Sequence, residues 1–234
     1  MISFLLSFIR GNRMESKKVK VGAVMTAPRY EAVYARNFIE MALKETGIPI
    51  TISGGVYYGQ CMQIMLCDLV RQEVDFALTI DFDSMFTAAH IQRLLDIIAG
   101  DDSIDAIAAI QPKRGCGSVL ASMRKETDVE WDGRPIQVDS AHFGLTLIRV
   151  EKLRHLPKPW FVSQPNADGD WAGDKIDDDV WFWRQWQIAG NTVYIDPGTR
   201  LGHLEEVVTV YDAQMKKVHH YPKDWSEIRA STVD

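Results

Sequence analysis

From residue 19 to about residue 111, continuous apolar runs alternate with amphipathic stretches, the pattern of βα units wound around a mostly parallel sheet. The runs predict strands over 19–26, 48–53, 74–80 and 104–110. The stretches between them predict helices over 31–45, 60–72 and 88–99, the first and last stopped by Gly47 and Gly100. Beyond residue 119 the pattern changes to strand and hairpin, with Asp132-Gly133 as the turn signal and one long strand over 136–150. Pro157, Pro159, Pro165, Gly169 and Gly173 mark a loop of roughly twenty residues, a length more often functional than idle. A helix over 178–189, broken by Gly190-Asn191, and a short strand over 192–195 complete the pattern.

Nothing in this run suggests a linker or a repeat. The expected division is an extension over 1–18, one α/β domain over 19–206 and a tail over 207–234 that packs on the domain. With 234 residues, 46% of them hydrophobic and 10% aromatic, the chain can bury a core without staples and is not a disordered polymer. Cys61, Cys67 and Cys116 are odd in number and lack metal-site spacing, so buried reduced thiols in a cytoplasmic protein are expected. The apolar run over 2–9 is far shorter than the roughly 20 residues that span a bilayer, and it lacks a basic leader and a cleavage site. No transmembrane segment is expected.

Chemistry enters where the third strand ends. Asp81 and Asp83 stand two apart in D-F-D, at the carboxyl edge where open α/β sheets place ligands, and two hard carboxylates suit Mg2+ or Mn2+. The bland reading is a solvated turn. A second cluster, Asp177-Asp178-Asp179, opens the aromatic helix; one aspartate would serve as a cap, whereas three adjacent like charges suggest a cation or a proton to abstract. His203 follows the last strand in G-H-L, and a lone histidine gains meaning only from its company.

Taken in order, these segments resemble the GT-A-fold glycosyltransferases, in particular the inverting, family-two-like enzymes that use nucleotide-sugar donors. The motifs are V-G-A-V-M-T-A-P-R at the first strand, D-F-D-S-M-F, the glycine-bearing strand V-D-S-A-H-F-G-L-T-L-I-R-V, P-K-P-W-F, the pair Asp178-Asp179 eleven residues before Gly190, and G-H-L. The resemblance implies a single GT-A (Rossmann-like) α/β domain with a mixed, mostly parallel sheet flanked by helices. It implies Mn2+ or Mg2+ held by Asp81, Asp83 and His203, and Asp179 as the base assisted by Asp178. Donor contacts would come from Thr26, Ala27, Pro28, Arg29, Asp81, Phe82, Lys113 and Arg114. Acceptor contacts would come from His142, Gly144, Trp160, Phe161 and Trp171, although a satisfied core histidine is the default for His142 and a solvated loop end competes for Lys113 and Arg114. The chain departs from the family in carrying Asp178 where glutamate is usual and Ser53-Gly54-Gly55 where a uracil-reading acid is expected. A UDP-sugar is the first donor candidate, and the base stays open.

The reaction so implied moves a sugar to an acceptor hydroxyl with inversion. The acceptor stays open among a carbohydrate (polysaccharide or lipid-linked sugar), a protein side chain and a hydroxylated base in DNA. Two other classes compete: a haloacid-dehalogenase-like phosphohydrolase built on Asp81, Asp83 and Asp178-Asp179, and a non-catalytic nucleotide or carbohydrate-binding module. The first is disfavoured by two βα units ahead of its nucleophile, the second by the presence of a base. The formal charge of −6 does not decide among acceptors, because residues 168–179 hold six aspartates and one lysine, a local −5 that leaves only −1 elsewhere.

Overall fold

The computed structural model describes residues 19–27, 33–55, 57–114, 118–123, 131–212 and 214–221. The first half follows the expected alternation: β1 (Val21–Ala27), α1 (Val33–Thr46), β2 (Ile50–Gly54), α2 (Tyr58–Arg71), β3 (Phe76–Asp81), a two-residue β4 (Ser84–Met85), α3 (Ala88–Gly100) and β5 (Ala106–Ile110). Then come β6 (Ala121–Met123), β7 (Ile136–Ala141), β8 (Leu145–Arg149), α4 (Val150–His155), α5 (Asp178–Ile188), β9 (Val193–Arg200), β10 (Gly202–His203), β11 (Val208–Tyr211) and β12 (Lys217–His220).

Eight strands form one mixed sheet in the order β2-β1-β3-β8-β5-β9-β7-β6. Strands β8 and β7 run against the other six, so the sheet is mostly parallel in direction. Helices cover both faces, and strand side chains alternate between two cores. Val24, Ala77, Ala106, Ala108 and Ile148 face the core of α2, α4 and α5, with Met62, Leu66, Leu153, Phe182, Trp183 and Trp186. Their sequence neighbours Ala23, Met25, Leu78, Ile107 and Leu147 face the core of α1 and α3, with Ile39, Leu43, Ile91, Leu94 and Ile98.

The long strand expected over 136–150 is two strands. The chain pairs with β9 only at Ile136 and Gln137, reaches the carboxyl end of β5 at residue 142, where His142 Nε2 lies 2.8 Å from Ala109 O, and then enters the sheet between β3 and β5. The crossing residues 142–144 therefore lie at the edge where Asp81 ends β3. The break has a packing cause: a Cβ built on Gly144 would lie 2.5 Å from Gln111 Oε1 and 2.8 Å from Ser84 Oγ, so only glycine lets the backbone pass so near them.

Strand β9 also exceeds its expected four residues. Its register with β5 jumps from Ala109↔Asp196 to Ile110↔Arg200, a bulge that absorbs Pro197, Gly198 and Thr199. Asp196, fully buried, holds the bulge: it accepts from Arg93 Nε at 2.6 Å, Arg93 Nη2 at 3.0 Å and Thr199 Oγ1 at 2.6 Å. The bend sends the chain back so that β10 pairs antiparallel with β4, Gly202 opposite Met85 and His203 opposite Ser84. Residues 208–220 add a separate hairpin of β11 and β12 that the apolar pattern does not announce. Among the described residues, no helix is long and apolar enough to cross a membrane.

Candidate functional site

Residues far apart in sequence meet at the carboxyl edge of β1, β3 and β5. Asp81 is the last residue of β3, in register with Thr26 on β1, and its N–H donates to Gly144 O at 3.3 Å. The turn after it buries Asp83, only 4% exposed, and the pairing of β4 with β10 sets His203 beside it. His203 Nδ1 lies 2.9 Å from the carbonyl of Pro112, which can only accept, so the ring proton sits on Nδ1. Nε2 faces Asp83 Oδ2 at 3.3 Å. That oxygen is shielded from solvent and accepts no well-formed hydrogen bond, although the Arg114 guanidinium is ion-paired with it. Arg114 is thus a cation beside a buried carboxylate oxygen that also faces the imidazole.

The second acidic group lies at the start of α5. Asp177 faces away, paired with Lys175 Nζ at 2.6 Å. Asp178 Oδ1 accepts from Asp179 N–H at 3.0 Å, and Asp179 Oδ1 accepts from Val180 N–H at 2.7 Å, so both carboxylates hold the free amides of the first turn. The other oxygen of Asp178 presses on the first turn of α2, 2.5 Å from the place where a Cβ on Gly59 would be. Burial raises the pKa of Asp179, its bond to Val180 opposes the rise, and Asp178 and Asp177 add to it. Asp81 is raised to about 6, first by burial and then by the charge of Asp179, with Arg114 opposing. The charge of Asp179 thus reaches Asp81.

Tyr58 joins them. Its phenol is held well above its ordinary pKa by burial and by the charges of Asp81, Asp179 and Asp178, so it stays a neutral hydroxyl among three carboxylates. Its ring lies 6.5 Å from that of Phe143 and 6.4 Å from that of Phe161. Sequence reasoning missed this residue. The only signal was a tyrosine pair, Tyr57-Tyr58, between Gly54-Gly55 and a helix.

Beneath the carboxylates lies a small polar core. His142 donates from Nε2 to Ala109 O at 2.8 Å and accepts at Nδ1 from Gly144 N–H at 2.8 Å. Burial, with a smaller push from His203, takes its pKa down to about 4 against the bond to Ala109. The ring is neutral with both nitrogens committed, the core histidine of the default reading, and has nothing left for an acceptor. Gln111 Nε2 donates to Ser84 Oγ at 3.1 Å, while its Oε1 is buried without a partner.

Trp160 and Phe161, expected at the acceptor, are buried and turn no open ring face to solvent. Trp160 is 1% exposed, donates from Nε1 to Leu156 O at 3.0 Å and carries Lys158 over its ring; Phe161 stacks on Phe182 at 5.1 Å. Both belong to the core under α5, because P-K-P-W-F folds inward where its prolines suggested a surface loop. Trp171 is the exposed aromatic of that loop, at 60%. Asn166 organises the loop around it, accepting from the N–H groups of Asp168 and Asp170 and donating to Ala172 O.

Of the expected donor residues, Thr26 stands beside Asp81, Phe82 packs partly against the α1–α3 core, Lys113 is exposed, and Arg114 reaches Asp83. Ala27 ends β1 opposite Gly54; Pro28 and Arg29 lie outside the described residues, as does Cys116. Cys61 and Cys67 are free thiols. Among the described residues, no three histidine, cysteine or acidic side chains converge on one metal position, so the chain itself offers the pair Asp83 and His203 with Asp81 nearby.

No protein-family model matches this chain, and no curated protein matches it in sequence. Among solved structures, A197 from STIV is similar with a TM-score of 0.58 and 15% identity, over 86% of this chain and 96% of that one, a likeness of fold. GalNAc-T7, solved with UDP, GalNAc and Mn2+, is similar with a TM-score of 0.48 and 12% identity, over 79% of this chain and 44% of that one.

Proposed function

We propose that the chain is a divalent-metal-dependent glycosyltransferase of the GT-A type that moves a sugar from a nucleotide-sugar to an acceptor hydroxyl with inversion. The observation that carries this reading is the pairing of Asp83 Oδ2 with His203 Nε2 at 3.3 Å, with the ring proton engaged on the far nitrogen. One carboxylate oxygen and one imidazole nitrogen form a mixed donor set: the oxygen suits Mn2+ or Mg2+, and the nitrogen favours Mn2+ of the two. Such ions commonly keep open positions for substrate phosphate, so a set smaller than three fits. Bound there, the ion would neutralise the charge that grows on a nucleoside diphosphate as it leaves.

The chain's own residues do the rest. Asp83 and His203 hold the ion, and Pro112 O fixes the His203 tautomer so that Nε2 is free to bind it. Asp81 and Thr26, side by side at the ends of β3 and β1, present the donor's nucleotide to the site. Asp179 takes the acceptor proton. Its raised pKa brings it nearer neutrality than an exposed aspartate, which improves a base. Asp178, braced on Gly59, orients Asp179 through the amide between them. Gly144 backs Asp81, and Trp171 offers an exposed aromatic face to an acceptor sugar.

Asp179→Asn tests the assignment. Donor binding should change less than about twofold while transfer falls by the roughly 10²–10⁴ that a general base supplies. Full transfer by the variant would overturn the assignment of the base.

A further inference from the structure

Arg114 occupies a place that the mechanism above does not explain. Its guanidinium is ion-paired with Asp83 Oδ2, the same oxygen that faces His203 Nε2. The carboxylate side chain is 6% exposed and the arginine side chain 57%, so a half-open cation caps a buried anion. The segment carrying it is anchored. Pro112 bridges to Val119, Lys113 N–H donates to Ser118 O at 2.8 Å, and Leu120 N–H donates to Gln111 O at 2.9 Å. Pro112 also accepts the His203 ring proton. One short stretch therefore sets the histidine for a metal and, two residues later, delivers a competing positive charge.

We propose that Arg114 and a divalent cation are alternative partners of Asp83, and that the displaced guanidinium then binds the diphosphate of the donor. This rests on the reading of the site as a nucleotide-sugar metal centre. An ion at about 2.0–2.1 Å from the oxygen takes the space and the electron pair that the guanidinium uses, and the two positive charges repel at that separation. The guanidinium is a planar fork with five N–H donors, matched to phosphate oxygens, on a side chain more than half exposed to solvent. Metal alone must break an ion pair to bind. Metal arriving with a diphosphate gives the freed arginine a new partner. Each then strengthens the other, and by linkage the gain is equal in both directions. The arrangement keeps the metal centre from assembling without its donor.

The test measures Mn2+ binding to the full chain by electron paramagnetic resonance, with and without UDP or GDP, for wild type, Arg114→Gln and Arg114→Lys. Arg114→Gln should bind Mn2+ alone at least about tenfold more tightly than wild type, since the competitor is gone. The factor by which nucleoside diphosphate tightens Mn2+ binding should shrink toward one. Arg114→Lys keeps the charge without the fork; it should bind Mn2+ alone as wild type does and lose most of the coupling. Thermal unfolding gives a second readout: Mn2+ should raise the melting temperature of Arg114→Gln more than that of wild type, which also shows that the variant folds. Measurable Mn2+ binding of equal strength in wild type and Arg114→Gln would overturn the exchange while leaving the metal centre standing. Absence of Mn2+ binding in every form, with or without nucleotide, would overturn the metal centre and the exchange together.

Discussion

Replacing Asp81 by asparagine should make the protein more stable relative to wild type as pH rises. Asp81 is held at about 6 against an ordinary 3.8, mainly by burial and then by Asp179. The folded state therefore binds this proton more tightly than the unfolded state, and stability falls with rising pH between about 4 and 6 and levels off above. The gap between 3.8 and about 6 corresponds to about 3 kcal/mol, a large share of the roughly 5–15 kcal/mol that holds an ordinary domain together. Asparagine keeps the shape and does not ionise. The assay is urea unfolding of both forms at pH 4, 5, 6, 7 and 8 without divalent ions, read as the difference between them. Titrations elsewhere cancel in that difference, so it isolates Asp81 and its coupling to Asp179. The difference should move in favour of Asp81→Asn by about 3 kcal/mol across the series, and most of it should vanish when Mn2+ is added at pH 8. In an Asp179→Asn background the window should shift to lower pH, because one of the charges that raise Asp81 is gone. A difference that stays flat from pH 4 to pH 8 would show that Asp81 is not in the environment described, and its nearness to Asp179 would go with it.

Phe182→Ala should destabilise the fold by about 3–5 kcal/mol in chemical unfolding, because a fully buried ring stacked on Phe161 and Trp186 and edge-on to Phe143 and Trp183 would be deleted; a loss below about 1 kcal/mol would contradict the core assignment. Trp171→Ala should leave the melting temperature within about 1 °C, since the side chain is mostly exposed, and raise the acceptor KM by about 2–12-fold. Unchanged acceptor KM would remove Trp171 from the acceptor site. Gly144→Ala should lower stability and donor affinity together in unfolding and binding assays, because its Cβ meets Gln111, His142 and Ser84 at under 3 Å; wild-type values for both would refute the close packing.

The fold was legible where local pattern and tertiary role agree. Strands β1, β3 and β5 are continuous apolar runs because helices cover both faces of the sheet, and the glycines after α1 and α5 end their helices with φ of 67° and 79°. It was not legible where a partner distant in sequence decides the conformation. In residues 136–150 only Gly144 hints at the break at 142–144, and the neighbours that require glycine there, Gln111 and Ser84, come from elsewhere in the chain. The two-residue strands β4 and β10 have no period to read and exist only because the bulge held by Asp196 and Arg93 turns the chain back.

The candidate site shows the same division. Asp81, Asp83, Asp178, Asp179 and His203 stood out by residue type and order, and they converge at one edge of the sheet. Trp160 and Phe161 misled because an aromatic pair between prolines reads as surface, while α5 and Phe143 bury it. Tyr58 was invisible because its significance is the three carboxylates around it, brought from β3 and α5.

The central claim is tested most directly by incubating the wild-type chain and His203→Ala with a panel of nucleotide-sugars, with and without Mn2+, and measuring released nucleoside diphosphate. The account predicts release from at least one donor that requires the ion and is lost in His203→Ala. Binding or release that is indifferent to both the ion and His203, or no interaction with any nucleotide-sugar, would contradict it.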